Sequence, residues 1–437
     1  MPFPYRSYDL ALRALRGVSP LASRGDSKLA RGLRGRRDAD RTFVEWAVRE
    51  RDPDRPLVWL HAPSVGEGLQ ARAVMEALVA EAEEVQVAYT HFSPSAEGLA
   101  RKMPADVAGY LPWDTRPEVE RVVDALGPRL LVFTKTEVWP GLARAARRSG
   151  AGVVLAAATL PGSAGRLRWP ARPLLRPVFG ALDRVLAISA DDAERFGRLG
   201  VEPDRTEVTG DPAIDSALSR VMDSNDEAPY LVPFRHPSRP TLVAGSTWEP
   251  DEAVLVPAAS RLRERMPELR LLIAPHEPSA AHLDRLEREL GAARWRTLRL
   301  AQVEERGEVG DADAVLVDRV GVLAHLYTVG HAAYVGGGFH RHGLHSVVEP
   351  AAAGLPVVFG PGHDNARAAG DLLEAGGGAE VADAHELADA LARWFLPLER
   401  GREAGERARG YIEEHTGAAA RTARALLPFL ADEAGGA

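Results

Sequence analysis

The chain has 437 residues, a net charge of −8, 45% hydrophobic and 27% charged residues, and no cysteine. That length exceeds one ordinary hydrophobic core, so at least two domains are expected. Disulfides, thiol catalysis and cysteine-ligated zinc are excluded, the acidic balance argues against a general nucleic-acid binder, and no apolar run reads as a membrane span or a signal peptide.

Segment 1–50 opens basic, with Arg6, Arg13, Arg16, Arg24, Lys28, Arg31, Arg34, Arg36 and Arg37. Tyr8, Leu10, Leu12 and Leu15 recur at roughly helical spacing. This is either a basic amphipathic helix lying on an anionic membrane or a solvated helix packed on the domain. From 51 to 222, short apolar runs alternate with amphipathic segments. Strands are expected at 57–61, 85–89, 130–133, 153–156, 184–188 and 206–210, and helices at 68–82, 140–148 and 191–199. Apolar strands separated by helices indicate a parallel sheet covered on both faces. Residues 223–240 turn polar and then proline-rich, which reads as a linker. Alternation restarts in 241–437, with strands at 241–245, 271–274, 314–317, 333–335 and 357–359. The region 384–430 is helical by period, and the alanine- and glycine-rich tail is expected to fray. The fold class is α/β, with two Rossmann-like domains facing a central cleft.

The candidate functional residues all lie where a strand ends and a helix begins, the edge at which open α/β sheets bind ligands. In the first half, Ser64, Gly66 and Glu67 follow the first strand. Glu67 falls in a first helical turn, where the helix dipole favours a carboxylate. It is either an ordinary helix-opening residue or a general base for a hydroxyl. Lys135 and Glu137 are either a structural pair at a sheet edge or a cation and a second carboxylate facing the same cleft. Ser93 and Ser95 are either N-caps or acceptor contacts.

In the second half, Ser246, Thr247 and His276 end strands ahead of helices, and small hydroxyls with backbone N–H groups suit phosphate. Gly336, Gly337 and Gly338 allow close backbone approach, and a helix opened by His345 and Ser346 would present N–H groups to an anion. Ser346 and Glu349 have capping-box spacing; alternatively, Glu349 accepts from ribose hydroxyls. His340, His342 and His345 lack the partners of a recognised metal site, so no metal is expected. A further strand exit carries His363, Asp364 and Asn365. No G-x-G-x-x-G follows the first strand, which disfavours a dinucleotide oxidoreductase. The glycine-rich exit and its neighbour read as the nucleotide-sugar pocket of a glycosyltransferase.

Several stretches together carry a family resemblance: WLHAPSVGEG (59–68), THFSPSAEG (90–98), YLPWDT (110–115), KTEVWP (135–140), VTGDPAID (208–215), AGSTWEPDE (244–252), IAPHEP (273–278), AYVGGGFHRHGLHSVVEPAAAGLPVVFGP (333–361) and Asn365. In order and spacing the chain resembles the bacterial Kdo transferases, which move 3-deoxy-D-manno-octulosonic acid (Kdo) from CMP-Kdo to a lipid A precursor in lipopolysaccharide biosynthesis. The resemblance implies a GT-B fold and inverting chemistry without metal or cofactor. It implies Glu67 as general base and Glu137 as a second carboxylate, with Ser64, Gly66, Ser93, Ser95 and Lys135 on the acceptor side. It places CMP on Ser246, Thr247, His276, Gly336, Gly337, Gly338, His345, Ser346, Glu349 and Asn365. It also implies peripheral attachment at the cytoplasmic face of the inner membrane, by the basic N-terminal segment, and no nucleic-acid partner. Many members carry Arg where His276 stands and Asn where Ser346 stands. The stretch 211–215 and the loop 158–162 lack the family's basic residue. Fewer cations near the phosphate leave three alternatives: another GT-B nucleotide-sugar glycosyltransferase, an epimerase, or a catalytically silent sugar-nucleotide binding protein.

Overall fold

A computed structural model describes residues 4–25, 27–82, 84–235 and 239–431. Its strands form two seven-stranded sheets, parallel throughout. The first contains β1 (Leu57–His61), β2 (Gln86–His91), β3 (Val107–Tyr110), β4 (Leu130–Thr134), β5 (Gly152–Ala158), β6 (Arg184–Ala187) and β7 (Thr206–Val208), in the order β3-β2-β1-β4-β5-β6-β7. The second contains β8 (Thr241–Thr247), β9 (Arg270–Pro275), β10 (Thr297–Arg299), β11 (Ala314–Leu316), β12 (Ala332–Val335), β13 (Val357–Phe359) and β14 (Gly378–Glu380), in the order β10-β11-β9-β8-β12-β13-β14.

Apart from β7, which forms one edge of the first sheet, the predicted strands lie inside the two sheets. A parallel strand covered on both faces must be apolar on both. In β1, Leu57 and Trp59 enter one core layer while Val58 and Leu60 enter the other. In β8, Leu242 and Ala244 divide from Val243 in the same way. The unpredicted strands β3, β10 and β14 are short edge strands, and none of their residues is fully buried apart from the ends of β3. With so little apolar demand they leave no run to read.

The chain divides into two compact units, Met1–Ser216 with Thr416–Ala437, and Ala217–His415. The passage from one to the other falls inside the helix Pro212–Met222 rather than in the proline-rich stretch 223–240. The reason is that Ala228, Leu231 and Phe234 are buried in the core of the second unit, which ties the described part of that stretch to it. Residues 236–238 of the stretch, and the tail from 432, lie outside the described residues. The helix Ala418–Leu426 belongs to the first unit. Its Ala419, Ala423 and Leu426 pack in the same core as Ala71, Val74 and Leu78 of the helix Val65–Glu81. Asp215 holds its start by accepting from the backbone N–H of Gly417 at 2.6 Å and of Ala419 at 2.9 Å.

The basic N-terminal segment forms the helices Tyr5–Ala22, Lys28–Gly35 and Ala39–Glu50. Tyr8 donates to buried Asp114 at 2.7 Å, and Asp9 accepts from the N–H of Arg116 at 2.6 Å, so the first helix is tied to the unit by its polar side. No helix among the described residues is long and apolar enough to cross a membrane.

Candidate active site

In the first sheet the strand order reverses between β1 and β4. Such a switch point opens a crevice at the carboxyl ends of the two strands. Ser64 is the N-cap of the helix Val65–Glu81, but its hydroxyl makes no capping bond. Glu67 falls in the first turn of that helix, as expected from the sequence. Lys135, just beyond β4, adopts a left-handed φ of 58° and places Nζ 3.3 Å from Glu67 Oε1. The other oxygen, Oε2, is buried with no hydrogen-bond partner among the described residues. A buried carboxylate oxygen with an open valence is costly unless a ligand or water fills it.

Other titratable groups converge on this pair. Burial raises the Glu137 carboxyl above its ordinary range, and the charge of Glu67 raises it further. Burial also raises Asp211, against the opposing pull of Lys135. The Tyr89 hydroxyl is buried without a partner among the described residues, and burial followed by Glu67 pushes it up. One ammonium group therefore faces several carboxylates, and the like charges resist simultaneous ionisation.

Behind them, His61 is fully buried. Its Nδ1 lies 3.1 Å from the carbonyl of Thr90, and its Nε2 accepts from Trp139 Nε1 at 3.3 Å. That pattern assigns the proton to Nδ1. Burial pushes the imidazole down to about 3, so it serves as a neutral spacer. Buried Arg36 donates to the carbonyls of Leu111 and Pro112, both at 3.1 Å, and lies 4.6 Å from the ring of Phe92 and 4.7 Å from that of Trp113. It clamps the loops that follow β2 and β3. Ser93 and Ser95 join hydroxyl to hydroxyl at 2.8 Å, and Ser93 caps the short turn at Pro94–Ala96. At Gly66 a side chain would meet nothing within 4 Å, so packing does not demand glycine there.

In the second sheet the order reverses between β8 and β12. Ser246 sits in the β8 exit with φ of 55°. Thr247 is fully buried and donates to Glu252 at 2.8 Å, so its hydroxyl is engaged in the scaffold. Next to it, Trp248 stacks on His340 with centroids 4.6 Å apart and donates to His345 Nε2 at 3.0 Å. His276 stacks on His345 at 4.3 Å and meets Trp248 at a tilt, with centroids 4.7 Å apart. Burial, then the neighbouring imidazoles, pushes His345 down to about 4.

The glycine run, expected to allow close approach of a ligand, is committed to packing within the protein. The Gly336 N–H donates to the carbonyl of Gly245 at 2.9 Å, and the Gly337 N–H to Asp251 at 2.8 Å. Those two donors are already engaged. Gly337 has φ of 97°, and a Cβ at Gly338 would lie 2.6 Å from the backbone nitrogen of Gly360. Glycine is thus required for loop-on-loop packing. The helix expected to open at His345 instead spans Val348–Ala352, with Val347 as N-cap, and the Ser346–Glu349 capping box does not form. Glu349 pairs with Arg220 of the helix Pro212–Met222 instead. Asn365 accepts from the Leu344 N–H at 3.0 Å and donates to the Leu344 carbonyl at 2.8 Å, clipping the run to the β13 exit.

Some residues of consequence carried little sequence signal. Asp251 accepts from Trp248 N–H, Tyr334 hydroxyl and Gly337 N–H, and so sets the geometry of both loops. Its position in a helix first turn looks unremarkable in one dimension. Arg220 and Asp211 reach their partners through the fold alone.

Paired parallel sheets with candidate ligand residues at both switch points define the class as α/β with a GT-B fold. A glycosyltransferase from Rickettsia africae superposes with a TM-score of 0.57 at 11% identity, covering 86% of this chain and 98% of that one. A UDP-GlcNAc 2-epimerase from Neisseria meningitidis, bound to UDP-GlcNAc, gives 0.59 at 13% identity over 86% and 99%. In sequence, residues 38–216 match the family described as 3-deoxy-D-manno-octulosonic-acid transferase (kdotransferase). The 3-deoxy-D-manno-octulosonic acid transferase of Bordetella pertussis is 30% identical over 95% of this chain and 98% of its own length. That of Haemophilus influenzae is 26% identical over 85% and 87%. The chain belongs to the Kdo transferase family and is a glycosyltransferase.

Proposed function

We propose that the protein transfers Kdo from CMP-Kdo to a hydroxyl of a lipid A precursor, with inversion at the anomeric carbon and without a metal ion. The observation that carries the reading is the Glu67 carboxylate, held by Lys135 at 3.3 Å through one oxygen and left with a buried open valence on the other. A sugar hydroxyl is a poor nucleophile and needs a base at the moment of attack. Glu67 Oε2 is the acceptor for that proton, and Lys135 holds the other oxygen while the acceptor approaches. Glu137, whose carboxyl is raised by burial and then by Glu67, is the second group on the acceptor side. Ser64, Gly66, Ser93 and Ser95 line the acceptor side of the same sheet edge.

On the donor side, the CMP phosphate is held by groups of the second sheet. His276, His345 and Ser246 stand at the β8, β9 and β12 exits, and Arg220 brings a permanent cation to Glu349. Leaving-group charge then builds against imidazoles and a guanidinium, where preorganised donors act most strongly. Attachment is peripheral, at the cytoplasmic face of the inner membrane.

The test is incubation with CMP-Kdo generated in situ and a tetraacylated lipid A precursor, with and without EDTA. Transfer that survives EDTA, with product of inverted anomeric configuration by NMR, is the expected result. Absence of transfer by folded protein would sink the reading, and CMP binding without transfer would assign a silent binding protein.

A further inference from the structure

The helix Val65–Glu81 shares a core layer with Val87 and Tyr89 of β2. Side chains two apart in a strand point to the same face, so Tyr89, like Val87, rises toward the helix. Tyr89 is fully buried, and its hydroxyl reaches the first turn. A Cβ at Gly68 would lie 2.8 Å from the Tyr89 hydroxyl oxygen and 2.6 Å from Leu99 Cδ2. Glycine at 68, the residue after Glu67, therefore leaves the space into which this hydroxyl projects.

The hydroxyl is buried there with no hydrogen-bond partner among the described residues, and Glu67 Oε2 is in the same condition on the same turn. Lys135 holds only the other oxygen, Oε1, at 3.3 Å. The carboxylate is thus pinned at one end. A tyrosine hydroxyl can donate, whereas an ionised carboxylate can only accept. A donor and an acceptor left unmatched beside one another are what a single buried water completes, accepting from the first and donating to the second. The charge of Glu67 is felt at Tyr89, where it adds to the effect of burial.

We propose that Tyr89 positions the catalytic base: through one buried water, its hydroxyl supplies the second hydrogen bond to Glu67, at Oε2. The inference rests on the reading of Glu67 as general base. A carboxylate oxygen carries two lone pairs, so the water leaves one for the acceptor hydroxyl. With Lys135 on one oxygen and the water on the other, the carboxylate cannot swing away from the line of attack. Tyr89 touches no substrate and is a positioning residue. The bridge also bears on the pH range of the base, because a hydrogen bond to the charged form favours that form. The other charged groups facing Glu67 are Lys135 and Glu137 beyond β4, while Asp211 beyond β7 acts on Lys135.

Tyr89→Phe removes the oxygen and keeps the ring. The full chain is compared with this variant by kcat and KM for transfer across pH, and by NMR titration of carbon-13-labelled glutamate carboxylates. The Glu67 resonance is assigned by its loss in Glu67→Gln. A crystal structure of wild type, at a resolution that shows ordered water, locates the bridge directly. The expected crystal shows a water within hydrogen-bond distance of both Tyr89 Oη and Glu67 Oε2. In Tyr89→Phe the acid limb of kcat/KM and the Glu67 resonance both move up by about half to one pH unit, the worth of one hydrogen bond. The kcat falls about three- to tenfold, with the KM for CMP-Kdo within about twofold. A tyrosine that only fills the core behaves in the opposite way. Losing its unmatched hydroxyl raises the melting temperature and leaves both titrations in place, and that result would overturn the proposal. A dry gap between the two oxygens in the crystal would overturn it as well. If wild type transfers no Kdo, the reading of Glu67 as base fails by itself, while the carboxylate titration and the crystal still decide the bridge.

Discussion

Glu67→Gln isolates the proposed base with the smallest change of shape. The amide retains one oxygen for Lys135 but cannot take a proton from a hydroxyl. At 3.3 Å the Lys135–Glu67 attraction is roughly 5 kcal/mol at an effective dielectric of about 20. Lys135 is 36% exposed, so screening and the relief of repulsion on Glu137 cut the net loss to about 1 kcal/mol or less. The melting temperature should therefore fall by no more than about 2–4 °C. Loss of a general base should lower kcat by about 10²–10⁴, with the KM for CMP-Kdo within about twofold. The assay is CMP release and labelled-Kdo transfer to the lipid acceptor at saturating donor, with melting measured on the same preparation. A kcat reduced by less than about tenfold would refute the role of Glu67. A large stability loss with unchanged kcat would make the carboxylate structural.

Three further outcomes follow from the geometry. The Glu137 carboxyl is raised in the folded state by burial and then by Glu67, so folding favours its protonated form. Its cost is absent below about pH 4, the ordinary carboxylate range, and complete above the raised value. Glu137→Gln should therefore be more stable than wild type at neutral pH and equal to it in acid, by urea denaturation across pH; an advantage in acid only would contradict the burial account. His345 is pushed down to about 4, so its neutral form contributes stability above about pH 6.5 that is lost as pH falls toward 4. His345→Asn should flatten that part of the acid limb, and an unchanged limb would refute it. Asp215→Ala removes both acceptors at the start of the helix Ala418–Leu426 and should cost about 1–2 kcal/mol, with faster amide exchange confined to that helix. Exchange that stays slow would show that apolar packing alone holds it.

What could be read in one dimension was whatever burial imposes on a local run. β1, β4, β8 and β9 are buried along their length, and each announces itself as an apolar stretch. Glu67, Lys135 and Glu137 were legible as candidates because strand ends in parallel sheets are where ligands bind. Their mutual arrangement was not, since it depends on β1 and β4 being neighbours although two strands separate them in sequence. Capping misled at Ser346 and Glu349: the spacing is right, but Arg220, more than a hundred residues away, outcompetes a local bond. The stretch 223–240 misled as a linker because prolines mark turns without saying whether Leu231 and Phe234 beside them are buried.

A sharper rule for separating scaffold from site comes from which polar atoms the fold leaves open. Asn365 has both ends of its amide engaged by Leu344, and Thr247 has its hydroxyl committed to Glu252, which also accepts from His282 at 2.8 Å. Their presence is explained without any ligand. Glu67 Oε2 and the Tyr89 hydroxyl are buried and unmatched among the described residues, at a strand end where a ligand or water can complete them. The rule has a direct consequence at Thr247, which sequence alone placed among the donor contacts. Thr247→Val keeps the shape and removes the hydroxyl, and Glu252 keeps His282 on the same oxygen, so the change should cost about 0.5–1.5 kcal/mol of stability, the worth of one hydrogen bond. The KM for CMP-Kdo should stay within about twofold. Tenfold weaker donor binding at unchanged stability would show that an engaged hydroxyl can exchange partners for a phosphate, and the rule would then fail for this family of loops.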